Sequence, residues 1–340
     1  MRQTTGKKDL LALWAGRLGL TRLLSILPKR DILLGVNYHR IGYADCTPYD
    51  PGVFSTTPEG FDDQIGYLRR LVRMVTLEEA VAVAHGKLKL HGPAAFITFD
   101  DGYRDNYQYA FPILQSHSVQ GVFFLATSFV GATKPPWWDQ IAFLVKNCRQ
   151  PRLQLSYPRP LEFSVDQEAL PTSIREVLRV YKEPGVEGER FIRSLEEACG
   201  TARPGQDAER CFLDWTEAAE MSRDGMAIGS HTHSHEILSK LTPDGQAEEV
   251  LRSRRILEER LTTTVDTLAY PVGQGGSFSD ETTGILRAAG YRAAFSFYGG
   301  FNRPGSIDPY NILRVGADGQ SRTRFEWQSS VAYATGRYWL

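Results

Sequence analysis

Short apolar runs of strand length recur along the chain, at residues 31–38, 94–99, 121–126, 226–229, 264–270, 291–297 and 311–315. The first of them, DILLGVNY, is apolar at successive positions, as a strand covered on both faces must be. Between the runs the period lengthens to that of amphipathic helices. Phe61, Ile65, Leu68 and Leu71 recur at helical spacing behind the helix-opening Thr57-Pro58-Glu59, and Val250, Leu257 and Leu261 stripe a second segment rich in Arg and Glu. Strand and helix in alternation predict a parallel sheet of the α/β class. One stretch breaks the rhythm. Residues from about 135 to 210 open with Pro135-Pro136-Trp137-Trp138-Asp139 and continue through Pro-rich pieces and helical patterns at 140–147 and 187–198, which predicts a long insertion.

Composition narrows the class without choosing a function. At 340 residues, 42% hydrophobic and 23% charged, the chain is globular, with room for one large α/β barrel or two ordinary domains. Its 39 basic and 40 acidic residues leave a formal charge of −1, so no electrostatic case exists for a nucleic-acid partner. Cys46, Cys148, Cys199 and Cys211 are far apart and form no C-x-x-C pair, which fits free thiols better than a zinc ribbon or a disulfide framework.

Two motifs carry chemistry, and each closes an apolar run. Thr98-Phe99-Asp100-Asp101-Gly102-Tyr103 ends one; Ser230-His231-Thr232-His233-Ser234-His235 ends another. An Asp-Asp-Gly alone is usually a turn or a helix cap, but three histidines within five residues stand out in a chain with seven. Gly102 lets the chain turn tightly, so that both carboxylates reach one pocket. His231 and His235 lie four apart, and one helical turn or a tight loop brings their rings to the same side, with His233 off it. One Asp and two His around a divalent cation leave positions open for water, and a spare carboxylate beside that water can take its proton. This is the equipment of a metal-dependent hydrolase. Motifs at strand C-terminal ends fit the active rim of a (β/α) barrel.

TFDDGY with HTHSH resembles the two signature motifs of the polysaccharide deacetylases, carbohydrate esterases that share the NodB homology domain. The resemblance spans about residues 31–316, interrupted by the insertion. It implies the distorted, incomplete (β/α) barrel of that family and hydrolytic removal of an N-acetyl group from a saccharide. It also implies Asp100 as general base and Asp101, His231 and His235 as ligands of a divalent metal, Zn²⁺ first, with Co²⁺ or Ni²⁺ open to the same donors. A third family motif, Arg-x-Pro-aromatic-Gly, is present only in altered form as Ala269-Tyr270-Pro271-Val272-Gly273. The Val272 backbone N–H is then the counterpart of the oxyanion donor, while the arginine that orients the base is missing. Arg314, in a strand-like run, is the candidate to replace it; a surface ion pair is the alternative. The family's C-terminal Leu-x-His, source of the general acid, is absent too, since no histidine follows His235. Tyr38-His39 matches an element of the poly-N-acetylglucosamine deacetylase branch that implies His39 as the acid. The plainer reading of His39 is a structural hydrogen bonder.

The expected division is an amphipathic helix over residues 1–30, the barrel over 31–320 and an extension over 321–340. Arg17 and Arg22 interrupt the apolar stretch of the first segment, which argues against a spanning helix or a cleaved signal. Either this helix packs on the barrel, or Lys7, Lys8, Arg17, Arg22, Lys29 and Arg30 hold residues 7–30 at an anionic membrane surface. The expected location is the cytoplasm, with or without that peripheral contact. Trp137 and Trp138 either stack on sugars or anchor the insertion. The substrate is then a polysaccharide, an oligosaccharide or a lipid- or nucleotide-linked precursor in exopolysaccharide or cell-envelope metabolism. Two alternatives stand beside it: an amidase or deformylase on a non-acetyl N-acyl group, and a carbohydrate-binding relative that lost catalysis. Oligomeric state is left open by the sequence.

Overall fold

The computed structural model describes residues 30–205 and 210–317, with Phe325 and Val331 beyond them. The N-terminal helix expected over residues 1–30 and most of the extension over 321–340 therefore lie outside the described residues. No described helix is long and apolar enough to cross a membrane.

Twelve strands occur among the described residues: β1 (Leu33–Tyr38), β2 (Arg40–Ile41), β3 (Phe54–Thr56), β4 (Arg73–Met74), β5 (Ala94–Phe99), β6 (Gly121–Leu125), β7 (Arg152–Leu155), β8 (Leu161–Ser164), β9 (Ala227–Ser230), β10 (Thr267–Ala269), β11 (Ala293–Phe295) and β12 (Arg314–Gly316). The chain divides into two compact units, and the larger contains Phe54–Gly131 and the residues from Phe212 onward, together with those up to Gly42. Its parallel sheet runs β11-β10-β9-β6-β5-β1-β12, with β4 beside the first two residues of β5, below the point where β6 begins to pair. The two edges meet just before β12. Phe295 and Ile312 form a parallel bridge, in which Ile312 N donates to Ala294 O at 2.9 Å and Ser296 N to Ile312 O at 3.0 Å. The sheet is thereby a nearly closed barrel, and because its strands run parallel their C-terminal ends share one rim.

The apolar runs become strands because both faces are covered. Every residue of β1, β5 and β6 is buried. Strict alternation sends Leu33, Phe96, Val122, Phe124 and Phe295 into one cluster, and Leu34, Val36, Ile97, Phe99 and Phe123 into another. Helix Pro58–Leu71 covers the second cluster with Phe61, Ile65 and Leu68, and its first turn is capped by the Thr57 hydroxyl, which accepts from Gly60 N at 3.2 Å. Each of the seven strand candidates and both helical stripes has its counterpart, the longer helix running Pro243–Leu261. Helices Leu77–Ala84, Phe111–Ser116, Trp215–Arg223 and Asp280–Ala288 were not anticipated. They are short, although capping boxes at Thr76/Glu79, Asp214/Glu217 and Ser279/Thr282 mark three of them.

The smaller unit comprises Ala132–Cys211, close to the expected insertion, and also Tyr43–Val53. That second segment is held by side chains far away in sequence. Lys146 Nζ donates to the Thr47 carbonyl at 3.0 Å, and Asp139 Oδ1 accepts from Asp50 N at 3.1 Å. Helices Trp137–Lys146, Leu170–Lys182 and Gly188–Cys199 join the antiparallel pair β7–β8. Trp137 stacks on Tyr181 at 4.2 Å and meets Trp138 edge-on at 5.1 Å, so both indoles are engaged within this unit.

Candidate active site

Register places the first carboxylate. Tyr38 pairs with Phe99, so His39 and Asp100 leave β1 and β5 side by side at the rim, where Asp100 N donates to Tyr38 O at 3.1 Å. The chain then turns through two left-handed residues, Asp101 (φ 74°) and Gly102 (φ 83°). Asp tolerates that region better than most residues, and the turn sends the two adjacent carboxylates to different partners.

Asp100 meets an arginine from the other side of β1. Arg314 Nη1 donates to Asp100 Oδ1 at 2.7 Å and Nη2 to Oδ2 at 2.9 Å, while Asn37 Nδ2 donates to Oδ2 at 3.2 Å. The guanidinium is 0% exposed, which rules out a surface ion pair. Nη1 also faces Asn37 Oδ1 (2.8 Å) and Thr98 Oγ1 (3.2 Å), and Nε donates to the Ser296 carbonyl (3.1 Å). Additional hydrogen bonds of this kind help a buried pair to repay its desolvation. Burial pushes the Asp100 carboxyl up, but the Arg314 charge and its hydrogen bonds outweigh that, and the group lies below the usual carboxylate range. Asp100 is ionised.

Asp101 faces the histidines. Its Oδ1 lies 3.4 Å from His231 Nε2 and 3.2 Å from His235 Nε2, and all three residues are buried. His231 Nδ1 sits 2.8 Å from the Ala269 carbonyl, so Nδ1–H donates there and Nε2 is the nitrogen that faces Asp101. The histidines come from a loop, not a helix. Thr232 (φ 65°) and His235 (φ 59°) are left-handed, and one Glu249 carboxylate accepts from His233 N (2.9 Å), Ser234 N (2.8 Å) and Ser234 Oγ (2.7 Å). His233 lies off the site, with Nδ1 at 2.8 Å from Thr127 Oγ1.

The three donors fit a cation. Asp101 Oδ1 is buried without a hydrogen bond among the described residues, an arrangement that costs free energy unless a positive group accepts its lone pairs. Ligand bonds of ~2.0–2.1 Å at tetrahedral angles place donor atoms about 3.3 Å apart, which matches the spacing of Asp101 Oδ1 from each imidazole. Asp101, His231 and His235 thus form a candidate divalent-metal site.

The remaining predicted residues lie at the same rim. Val272 is left-handed at φ 63°, an outlier for a β-branched residue, and its N–H makes no hydrogen bond among the described residues. Gly273 (φ 62°) follows, and its carbonyl accepts from Phe297 N at 2.8 Å. His39 is half-buried, with its backbone tied to Ser55 Oγ (3.0 Å) and Asn106 Nδ2 (2.7 Å) and its ring edge-on to Phe297 at 6.0 Å. Six non-glycine residues among those described have positive φ, and four of them, Asp101, Thr232, His235 and Val272, are in this site. Backbone strain gathers where function over-determines geometry. Asn37, Thr98 and Glu249 were not singled out from sequence. Asn37 carried a usable signal, as a lone polar residue inside an otherwise apolar buried strand.

The family model described as polysaccharide deacetylase matches residues 87–151 and 159–294, more than half of the sequence, and the chain belongs to that family. A Bacillus subtilis protein provisionally named a polysaccharide deacetylase, YxkH, is 20% identical over 218 residues, 64% of this chain and 50% of its own. The chain therefore spans about half the length of the curated relative it matches. Among solved structures, IcaB from Ammonifex degensii is similar in fold, with a TM-score of 0.58 at 23% identity over 90% of this chain and 98% of that one. The Streptococcus pyogenes deacetylase PplD, solved with acetate, gives a TM-score of 0.54 at 16% identity over 84% of this chain and 92% of that one.

Proposed function

We propose that this chain is a metal-dependent hydrolase that removes an N-acetyl group from a saccharide, with zinc as its resident metal. The observation that carries the reading is the division of labour between neighbours: Asp100 is locked ionised by Arg314, while Asp101 is left with an unsatisfied oxygen between two imidazoles. Two nitrogens and one oxygen suit zinc, and cobalt or nickel would fit the same donors.

Asp101, His231 and His235 would hold a divalent cation, which when bound would supply Lewis acidity and lower the pKa of water toward ~7. Asp100 accepts the proton of the attacking water, since its fork to Arg314 fixes the carboxylate plane and keeps the group ionised. The Val272 N–H donates to the oxygen that gains charge when the amide carbonyl is attacked; one such donor contributes about 3 kcal/mol to the transition state. His39 protonates the departing nitrogen as the C–N bond breaks, releasing acetate and a free amine. Ala269 in place of the family arginine no longer favours a binding-only protein, because Arg314 makes the equivalent fork from β12.

Acetate release from N-acetylglucosamine oligomers tests the reading. Activity is expected to vanish with a chelator and return with zinc; formate in place of acetate, or no product from metal-loaded protein, would overturn it. For His39 the comparison is between an activated acetate ester and an N-acetyl sugar. His39→Ala should cost the amide about 10²-fold or more and the ester far less, because general-acid assistance matters most for a poor leaving group. Equal losses on both substrates would make His39 a structural residue.

A further inference from the structure

Two cysteines distant in sequence meet in the smaller unit. Cys148 lies two residues beyond helix Trp137–Lys146, and Cys199 is the last residue of helix Gly188–Cys199. Their backbones are tied together: Arg149 N donates to Cys199 O at 3.0 Å, and Thr201 Oγ1 to the Asn147 carbonyl at 2.8 Å. A peptide hydrogen bond between the two segments suits the Cα separation of about 4.4–6.8 Å that a disulfide needs. The side chains meet as well, since the Cys199 thiol interacts directly with that of Cys148. Both are free thiols in this structure.

The pair is asymmetric. Cys199 is fully buried, and burial together with the Cys148 thiol pushes its pKa up, so it stays protonated and shielded. Cys148 is only half-buried, with Sγ 3.6 Å from the Gln150 carbonyl. A cavity of about 720 Å³ adjoins them: Gln150, two residues after Cys148, and Ala198, directly before Cys199, both line it. Arg152, Gln154, Ser164 and Asp166 give it polar walls with a cation and an anion. Such a lining suits a small polar molecule rather than an apolar one.

We propose that Cys148 and Cys199 are a reversible redox modification site, at which a small polar disulfide oxidises the two thiols to a bond joining the ends of the two helices. Cys148, as the thiolate, attacks the disulfide RS–SR. The bond from Cys148 Sγ to one sulfur forms, the RS–SR bond breaks, and RS⁻ leaves and takes a proton. Cys199 then loses its proton and attacks Cys148 Sγ, expelling the second RS⁻, which is protonated in turn. The protein gives up two electrons and two protons, and RS–SR is reduced to two RSH. Once Cys148 is in the mixed disulfide it has no ionisable thiol, which removes one of the causes that hold Cys199 protonated. The finished bond closes a loop containing β7, β8 and helix Leu170–Lys182, and so restricts the unfolded chain of this unit. None of these steps uses the metal or the residues around it.

The test treats reduced, full-length protein with glutathione disulfide under native conditions, then alkylates the remaining thiols in denaturant and maps the peptides by mass spectrometry. Cys148 and Cys199 should appear as one cross-linked pair that dithiothreitol separates. The oxidised protein should melt about 5 °C or more above the reduced one. In Cys148→Ser, Cys199 should remain a free thiol and the rise in melting temperature should vanish. Cys148 left free or stopped at the glutathione adduct, or Cys199 bonded instead to Cys46 or Cys211, would overturn the site. Equal melting temperatures for fully cross-linked and reduced protein would overturn its effect on the smaller unit.

Discussion

Asp100→Asn is expected to lower acetate release by about 10²–10⁴-fold, the usual contribution of a positioned general base. The substitution keeps the shape of the side chain and removes its ability to take a proton. It also leaves the Arg314 charge without its counter-ion in a fully buried position, so the melting temperature should fall. Rates must accordingly be compared well below the transition of the variant. A wild-type rate in folded Asp100→Asn protein would remove Asp100 from the mechanism.

Arg314→Met should be the most damaging substitution for stability. Breaking one partner of a buried pair typically costs about 3–5 kcal/mol, and here Asn37, Thr98 and the Ser296 carbonyl would lose their donor as well. Arg314→Lys should recover little, since an ammonium cannot make the two parallel bonds of the fork. Combining Arg314→Met with Asp100→Asn should destabilise less than the sum of the two single changes, because neither variant charge is then left unpaired. Urea unfolding of the four proteins measures this coupling. Additive losses would mean that the fork contributes nothing to the fold.

The barrel strands were legible because burial on both faces writes unbroken apolar runs, as in Leu33–Tyr38 and Ala94–Phe99. The candidate metal-binding residues were legible because three histidines in five residues need an explanation of their own. What sequence could only nominate is the partner of the base. Arg314 is buried because β12 pairs with β1 opposite Gly35, where a Cβ would lie 3.0 Å from the arginine Cγ. That contact joins residues hundreds of positions apart and leaves no local pattern. The same applies to Glu249, which shapes the histidine loop from the middle of helix Pro243–Leu261, and to Tyr43–Val53, which joins the smaller unit through Lys146 and Asp139. Pair β7–β8 escaped notice because its alternation is short, with only Leu153, Leu155 and Phe163 buried.

Anomalous diffraction from crystals of zinc-loaded protein tests the central claim most directly. The account predicts one strong peak at the zinc edge, bonded to Asp101 Oδ1, His231 Nε2 and His235 Nε2, with Asp100 outside bonding range and still forked by Arg314. A peak elsewhere, or one to which Asp100 is itself a ligand, would contradict it.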